Sequence, residues 1–94
     1  MFVKKMYKPL GNRCILKINK RYIMQKGKQV LGEDGNPIYD LEEVATVMSS
    51  NVEGISRGDK VIPIIRGGVP IRTEETKKFI VTIIDEMDIY GKSI

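Results

Sequence analysis

The sequence predicts an all-β fold, a small β-barrel built as one domain over residues 1–94. Three observations carry the prediction. Apolar runs are short, rich in Val, Ile and Phe, and bounded by Gly, Pro, Asn, Asp or Ser, as strands between turns require. No segment repeats apolar residues at the three-and-four spacing of an amphipathic helix. A long polar stretch, residues 19–42, interrupts the strands, and an irregular segment of that length inside a small domain is usually functional or disordered.

Taken in order, Pro9, Leu10, Gly11 and Asn12 make a turn that introduces a first strand, Arg13 to Ile18. Cys14, Leu16 and Ile18 alternate there as in a strand with one buried side. The polar stretch follows and holds one isolated apolar pair, Val30 and Leu31, between Gly27 and Gly32, with Pro37 stiffening its return limb. Val44 to Met48 is a short strand ended by the turn chemistry of Ser49, Ser50 and Asn51. Arg57 to Lys60 turns the chain into Val61 to Ile65, where Pro63 lacks a ladder donor and so argues for a rim position or a bulge.

Gly67 and Gly68 then reverse the chain into Val69 to Arg72, positive φ being the reason for glycine. Thr73 to Lys78 reads as a polar connection with room for one helical turn. Phe79 to Ile84 is the most apolar strand and is expected at the centre of the sheet. Asp85 and Glu86 break it before a last extended segment, Met87 to Tyr90, whose Met87, Ile89 and Tyr90 need a cover.

Composition narrows the function. The 94 residues allow a modest core that is short on buried area, so self-association is an expected source of stability. An apolar share of 41% and a charged share of 30% are ordinary for a soluble chain, and no apolar run is long enough to span a bilayer. The amino terminus carries neither a secretory apolar region nor a small-residue cleavage site, and a single cysteine rules out an intramolecular disulfide. A cytoplasmic location is the expectation.

With no histidine and only Cys14, the chain cannot form a Ser-His-Asp or Cys-His pair or an ordinary zinc cluster. Gly27, Gly32 and Gly35 lie close together without making a dinucleotide fingerprint, and no phosphate-loop pattern occurs. Glu74, Glu75, Asp85, Glu86 and Asp88 read as solvated charges, and Cys14 as a small buried hydrophobe. The expectation is a protein that is not an enzyme and uses no cofactor or metal.

Charge is unevenly divided. Residues 1–32 hold nine Lys/Arg and no acid, a net +9, whereas residues 33–94 carry a net −5. A basic first third can serve nucleic acid, through Lys4, Lys5, Lys8, Lys17, Lys20 and Arg21 against phosphates. Ser56 to Val61 with Gly67 and Gly68 downstream is similar to the short barrel motif of some ribosomal and transcription proteins. No aromatic residues are interleaved with the cations as a base-stacking platform needs.

The order and spacing of these motifs resemble the GroES-type co-chaperonins, small β-barrels that close the folding chamber of a chaperonin. The resemblance runs from Tyr7 to Tyr90. Pro9 to Lys17 matches the family's opening turn and strand. A gapless count from Pro9 then places the apolar tripeptide of the family's mobile loop on Gln29, Val30 and Leu31, and its next strand on Glu43 to Val47. Gly58 to Ile62 is similar to the family's Gly-Asp-x-Val strand entry, and Met87 to Tyr90 to its closing segment.

Two departures qualify the likeness. Only residues 48–56 stand where the family has a roof hairpin, too few for strand, turn and strand. Some phage-encoded members also lack the roof, so the chain looks most like a phage co-chaperonin acting in the host bacterial cytoplasm. Gln29 occupies a tripeptide position that is usually apolar, which leaves Val30 and Leu31 as the anchor, with Ile23 and Met24 as supplement or replacement.

The resemblance implies a homo-heptameric ring in which Phe2 and Val3 pair with Met87, Ile89 and Tyr90 of the neighbouring subunit, covering strand edges. It implies a mobile loop over residues 19–42, hinged at Gly27, Gly32 and Gly35, that inserts Val30 and Leu31 into an apolar groove of the nucleotide-bound chaperonin. The partners are then a host chaperonin, further copies of the chain, and an encapsulated client such as a capsid protein. The nucleic-acid barrel is the alternative. A third likeness, to the GroES-like domain of medium-chain dehydrogenases, lacks the attached cofactor domain and the zinc ligands.

Overall fold

The computed structural model describes residues 9–64 and 72–92. Phe2, Val3, the Gly67-Gly68 turn and Val69 to Ile71 lie outside the described residues. Among those described, regular structure is antiparallel strand with one short 3₁₀ turn, so the all-β expectation holds. No described helix is long and apolar enough to cross a membrane.

The strands are β1 (Arg13–Tyr22), β2 (Met24–Gln25), β3 (Lys28–Gln29), β4 (Tyr39–Leu41), β5 (Ala45–Ser50), β6 (Lys60–Pro63), β7 (Arg72–Glu75), β8 (Phe79–Asp85) and β9 (Ile89–Lys92). The main sheet runs in the order β7-β8-β1-β5-β6-β9, with β4 added to β1. β1 organises it. One edge pairs with β8 from Arg13 opposite Asp85 to Asn19 opposite Phe79. Its other edge changes partner midway, from β5 over Cys14 to Lys17 to β4 over Lys20 to Tyr22. The last third of β1 thus leaves the sheet as a two-stranded ribbon with β4.

The predicted inward face is the core. Cys14, Leu16 and Ile18 are each fully buried and pack with Ala45, Val47, Val61 and Ile80. The Cys14 thiol donates to the Ser50 hydroxyl at 3.2 Å, a structural role in keeping with its burial. The expectation of one buried side is too simple, however, because Ile15 is also buried, on a second cluster with Phe79 and Val81 to which the half-buried Met48 adds. A register shift between Ile15 and Leu16 in the β1–β5 ladder fits this change of surroundings.

Three further expectations are corrected. β6 does not lie at a rim, because β9 pairs along it; Pro63 is accommodated by the bulge between Ile62 and Pro63. Thr73 to Lys78 holds no helical turn. β7 occupies its first part, and the Thr76 hydroxyl accepts from the backbone N–H groups of Lys78 and Phe79, both at 3.1 Å, closing a tight β7–β8 turn. Met87 lies in the 3₁₀ turn Glu86–Asp88, so the final strand starts at Ile89.

Between β5 and β6 no strand is present. Val52 is buried in the core, the half-buried Ile55 packs against it, and the Ser56–Asp59 turn leads into β6. The connection over residues 51–59 therefore folds down onto the sheet, and it holds no strand-turn-strand hairpin, as expected from the shortness of residues 48–56. Asp59 secures it by accepting from the Ser56 N–H (2.8 Å) and from the Lys92 ammonium (3.0 Å), which hold its carboxyl below the usual value.

Leu16 sits where the β5, β8 and β1 ladders meet, with no exposure to solvent. Leu16→Ala is expected to lower the unfolding free energy by about 2 to 5 kcal/mol in denaturant titration. A loss under about 1 kcal/mol would mean that this layer is not close-packed.

Candidate functional site

The β1–β4 ribbon carries the candidate site at its far end, where the sequence predicts an irregular loop. That expectation is corrected. Beyond Tyr22 opposite Tyr39 the ribbon splits into two arms. The first is the β2–β3 hairpin, with Met24 opposite Gln29 and Gln25 opposite Lys28. Lys26 and Gly27 form its two-residue turn, both left-handed at φ 52° and 77°, as a primed hairpin turn demands. The second arm closes with a bridge between Leu31 and Pro37.

The arms meet at three residues. The Ile23 N–H donates to the Ile38 carbonyl (3.0 Å), the Ile38 N–H to the Val30 carbonyl (2.9 Å), and the Val30 N–H to the Ile23 carbonyl (2.9 Å). Each residue gives one hydrogen bond and takes one. This closed set makes a three-way junction of trunk and two arms, and it replaces the irregular backbone with a paired one.

The turn of the second arm is built from short polar side chains. The Asp34 carboxylate accepts from the Asn36 backbone N–H and from its side-chain amide, both at 3.0 Å, and Gly35 is left-handed at φ 80°. Gly32 donates to the Asn36 carbonyl at 2.8 Å, and a Cβ there would lie 3.2 Å from Asp34 Oδ1. The three glycines expected as hinges therefore sit at defined turn positions: two need positive φ and one needs space.

A side-chain clasp ties the trunk to the β7–β8 turn. The Lys20 side chain is only 5% exposed; its ammonium lies 2.5 Å from Glu75 Oε2 and 4.4 Å from the centre of the Tyr39 ring. Tyr39 donates to the same Glu75 oxygen at 3.4 Å, Tyr22 donates to the Lys77 carbonyl, and the two tyrosine rings meet edge to face at 5.7 Å. An open groove of about 990 Å³ runs beside this clasp, bordered by Gln29, Asp34 and Lys77.

Of the expected anchor residues, Leu31 is exposed, Val30 half-buried and Gln29 exposed. Ile23 and Met24 are exposed beside them, and Ile38, which sequence reasoning missed, is exposed at the same junction. In the sequence it is only an apolar residue after Pro37; its place opposite Val30 emerges in the structure. Of the expected subunit contacts, Met87 and Tyr90 are 82% and 76% exposed, whereas Ile89 is half-buried against the core. β9 ends the sheet, with its inner edge on β6.

The two carboxyls displaced from their ordinary value, Asp34 and Asp59, are both lowered, mainly by backbone N–H groups of turns. In each case the main cause is a backbone N–H of the turn that holds the carboxylate. Among the described residues no group of three or more potential metal-ligating side chains is gathered.

Because Asp34 is lowered in the folded chain, its contribution is complete above the ordinary carboxyl value and is lost as pH falls through the lowered one. Protection of the Asn36 amide from exchange is expected to hold from neutrality to about pH 4 and to fall below it; a flat profile would contradict the role given to Asp34. Glu75→Gln, which strips the counter-charge from the nearly buried Lys20, is expected to cost about 1 to 3 kcal/mol and to speed tryptic cleavage at Lys26 and Lys28. Unchanged cleavage would show that the clasp does not restrain the arms.

Compared with known proteins, the chain matches no family model, no curated protein and no solved structure.

Proposed function

We propose that the chain is a co-chaperonin of the GroES type, a ring-forming lid that docks on the nucleotide-bound chaperonin through the arms at the end of the β1–β4 ribbon. The observation that carries the reading is the gathering of Ile23, Met24, Leu31 and Ile38, all exposed, on one hydrogen-bonded element beyond the ends of β5 and β8. A single domain of this size gains nothing from exposing so many large apolar groups together, and clusters of that kind mark surfaces that meet a partner. The gapless motif spacing and the strandless connection over residues 51–59 add support.

In this reading the chain assembles as a homo-heptamer, with β9 and the exposed Met87 and Tyr90 toward a neighbouring subunit. Each arm contributes modestly: burying Val30 and Leu31 is worth about 3 to 6 kcal/mol before binding costs. Several arms on one ring raise avidity through effective concentration, so the lid binds firmly yet leaves when the chaperonin changes state. The client enclosed beneath it is a folding protein, such as a capsid protein if the chain is phage-encoded. The protein acts in the cytoplasm and catalyses no reaction itself.

The nucleic-acid reading draws less support. Of its cations, Lys20 is engaged by Glu75 and Tyr39, Lys17 lies 4.7 Å over the Phe79 ring, and Arg21 stands opposite Asp40 across the ribbon. Lys4, Lys5 and Lys8 lie outside the described residues.

Replacing Val30 and Leu31 together by Asp is expected to abolish ATP-dependent co-sedimentation with a bacterial chaperonin while leaving the mass of the free assembly unchanged. Retained binding would reject Val30 and Leu31 as anchors.

A further inference from the structure

Ile23-Met24 and Val30-Leu31 stand in the sequence as alternative anchors, separated by a polar hairpin. The structure makes them neighbours. Val30 is hydrogen-bonded to Ile23 at 2.9 Å, Met24 faces Gln29 across the first arm, and Ile38 joins both through the junction. Exposures of 39% for Ile23, 56% for Met24, 59% for Leu31 and 40% for Ile38 leave the apolar surface divided between the pairs. Met24 stands opposite Gln29, two residues before Leu31 and so on the same side of the strand, which places a groove over Leu31 close to Met24.

Charge on this element is segregated as well. From Ile23 to Leu31 the only charged side chains are Lys26 and Lys28, both exposed at the turn of the first arm, and the acids Glu33 and Asp34 belong to the second arm. A partner that encloses the apolar junction brings its rim against those two ammonium groups. Desolvating them without a counter-charge is costly, so the rim that meets the first arm must itself be anionic or stay wet.

We infer that the two pairs act as one composite docking tip, held together by the Ile23–Val30–Ile38 junction, and that the surface it fits is an apolar groove on the chaperonin with carboxylates along the edge that meets Lys26 and Lys28. The inference rests on the proposed co-chaperonin function. It replaces a choice between anchors with a single contact that spans both strands.

The test is calorimetric titration of the intact assembly into ATP-loaded chaperonin, using wild type, Met24→Ser, Leu31→Ser, the double variant, Met24→Leu, and Lys26→Glu with Lys28→Glu. Each Ser variant is expected to weaken binding by about tenfold or more, and the double variant by less than the product of the two, as residues sharing one pocket do. Met24→Leu, which keeps the apolar bulk, is expected to retain binding, and an unchanged mass of the free assembly in each Ser variant excludes a folding defect. The charge reversal is expected to weaken binding and to flatten its dependence on salt.

Wild-type binding with Met24→Ser unaffected would overturn the composite tip alone. A charge reversal that leaves affinity and salt dependence unchanged would overturn the anionic rim. Wild type that ignores the loaded chaperonin would overturn the proposed function, and this inference with it.

Discussion

The closed set of backbone hydrogen bonds among Ile23, Val30 and Ile38 is the constraint on which the candidate site depends. Two arms and a trunk meet there, and each of the three residues uses its N–H and its carbonyl within the set. Without it, residues 23–38 would be a polar excursion with four exposed apolar side chains and nothing to fix their mutual positions. With it, Ile23, Val30 and Ile38 are held together, and Met24 and Leu31 flank the same junction. The glycines follow from the same constraint, because each arm must reverse within a few residues, and reversals that tight need left-handed backbone.

The junction in turn depends on how β1 divides its edges. The first two thirds of the strand carry the core, flanked by β8 and, over Cys14 to Lys17, by β5; beyond Asn19 the paired strand is β4, and on the other edge the Lys20 N–H reaches the Lys78 carbonyl at 2.8 Å. A two-stranded ribbon is marginal in water. The clasp of Lys20, Tyr22 and Tyr39 on Glu75 and the Lys77 carbonyl compensates by anchoring the ribbon's root to the β7–β8 turn. Core, ribbon and tip are thus linked in series, so a change at the root is expected to reach the arms.

Much of the core was legible in the sequence. Cys14, Leu16 and Ile18 alternate as a buried face must; Phe79 to Ile84, expected at the centre, has a strand on each side but lies next to the terminal β7; and the turn read at Arg57 to Lys60 is found one residue earlier, at Ser56 to Asp59. The arms were not, for a physical reason. Their strands are exposed on both sides, so no period-two apolar pattern marks them, and the Lys26-Gly27 turn lacks the Asn or Asp that usually signals a primed hairpin. Asp34, Gly35, Asn36 and Pro37 spell a turn plainly, but a turn alone does not reveal which strands it joins. β7 was hidden by Glu74 and Glu75, whose strand geometry comes from pairing with β8 rather than from propensity. Pro63 left a rim position and a bulge open, and the bulge is what is found, which shows how a neighbouring strand can pair past a proline.

Under the proposed function, the paired junction changes the cost of docking. A segment that is irregular when free loses conformational freedom on binding, whereas a junction already hydrogen-bonded loses little and presents its apolar groups in a fixed arrangement. The most direct measurement is amide hydrogen exchange of the free protein at Ile23, Val30 and Ile38. Protection at all three, comparable to that in the β2–β3 hairpin and lost together under mild denaturant, is the predicted result. Exchange at the rate of an unstructured chain at these amides would contradict the junction and return the segment to an irregular loop.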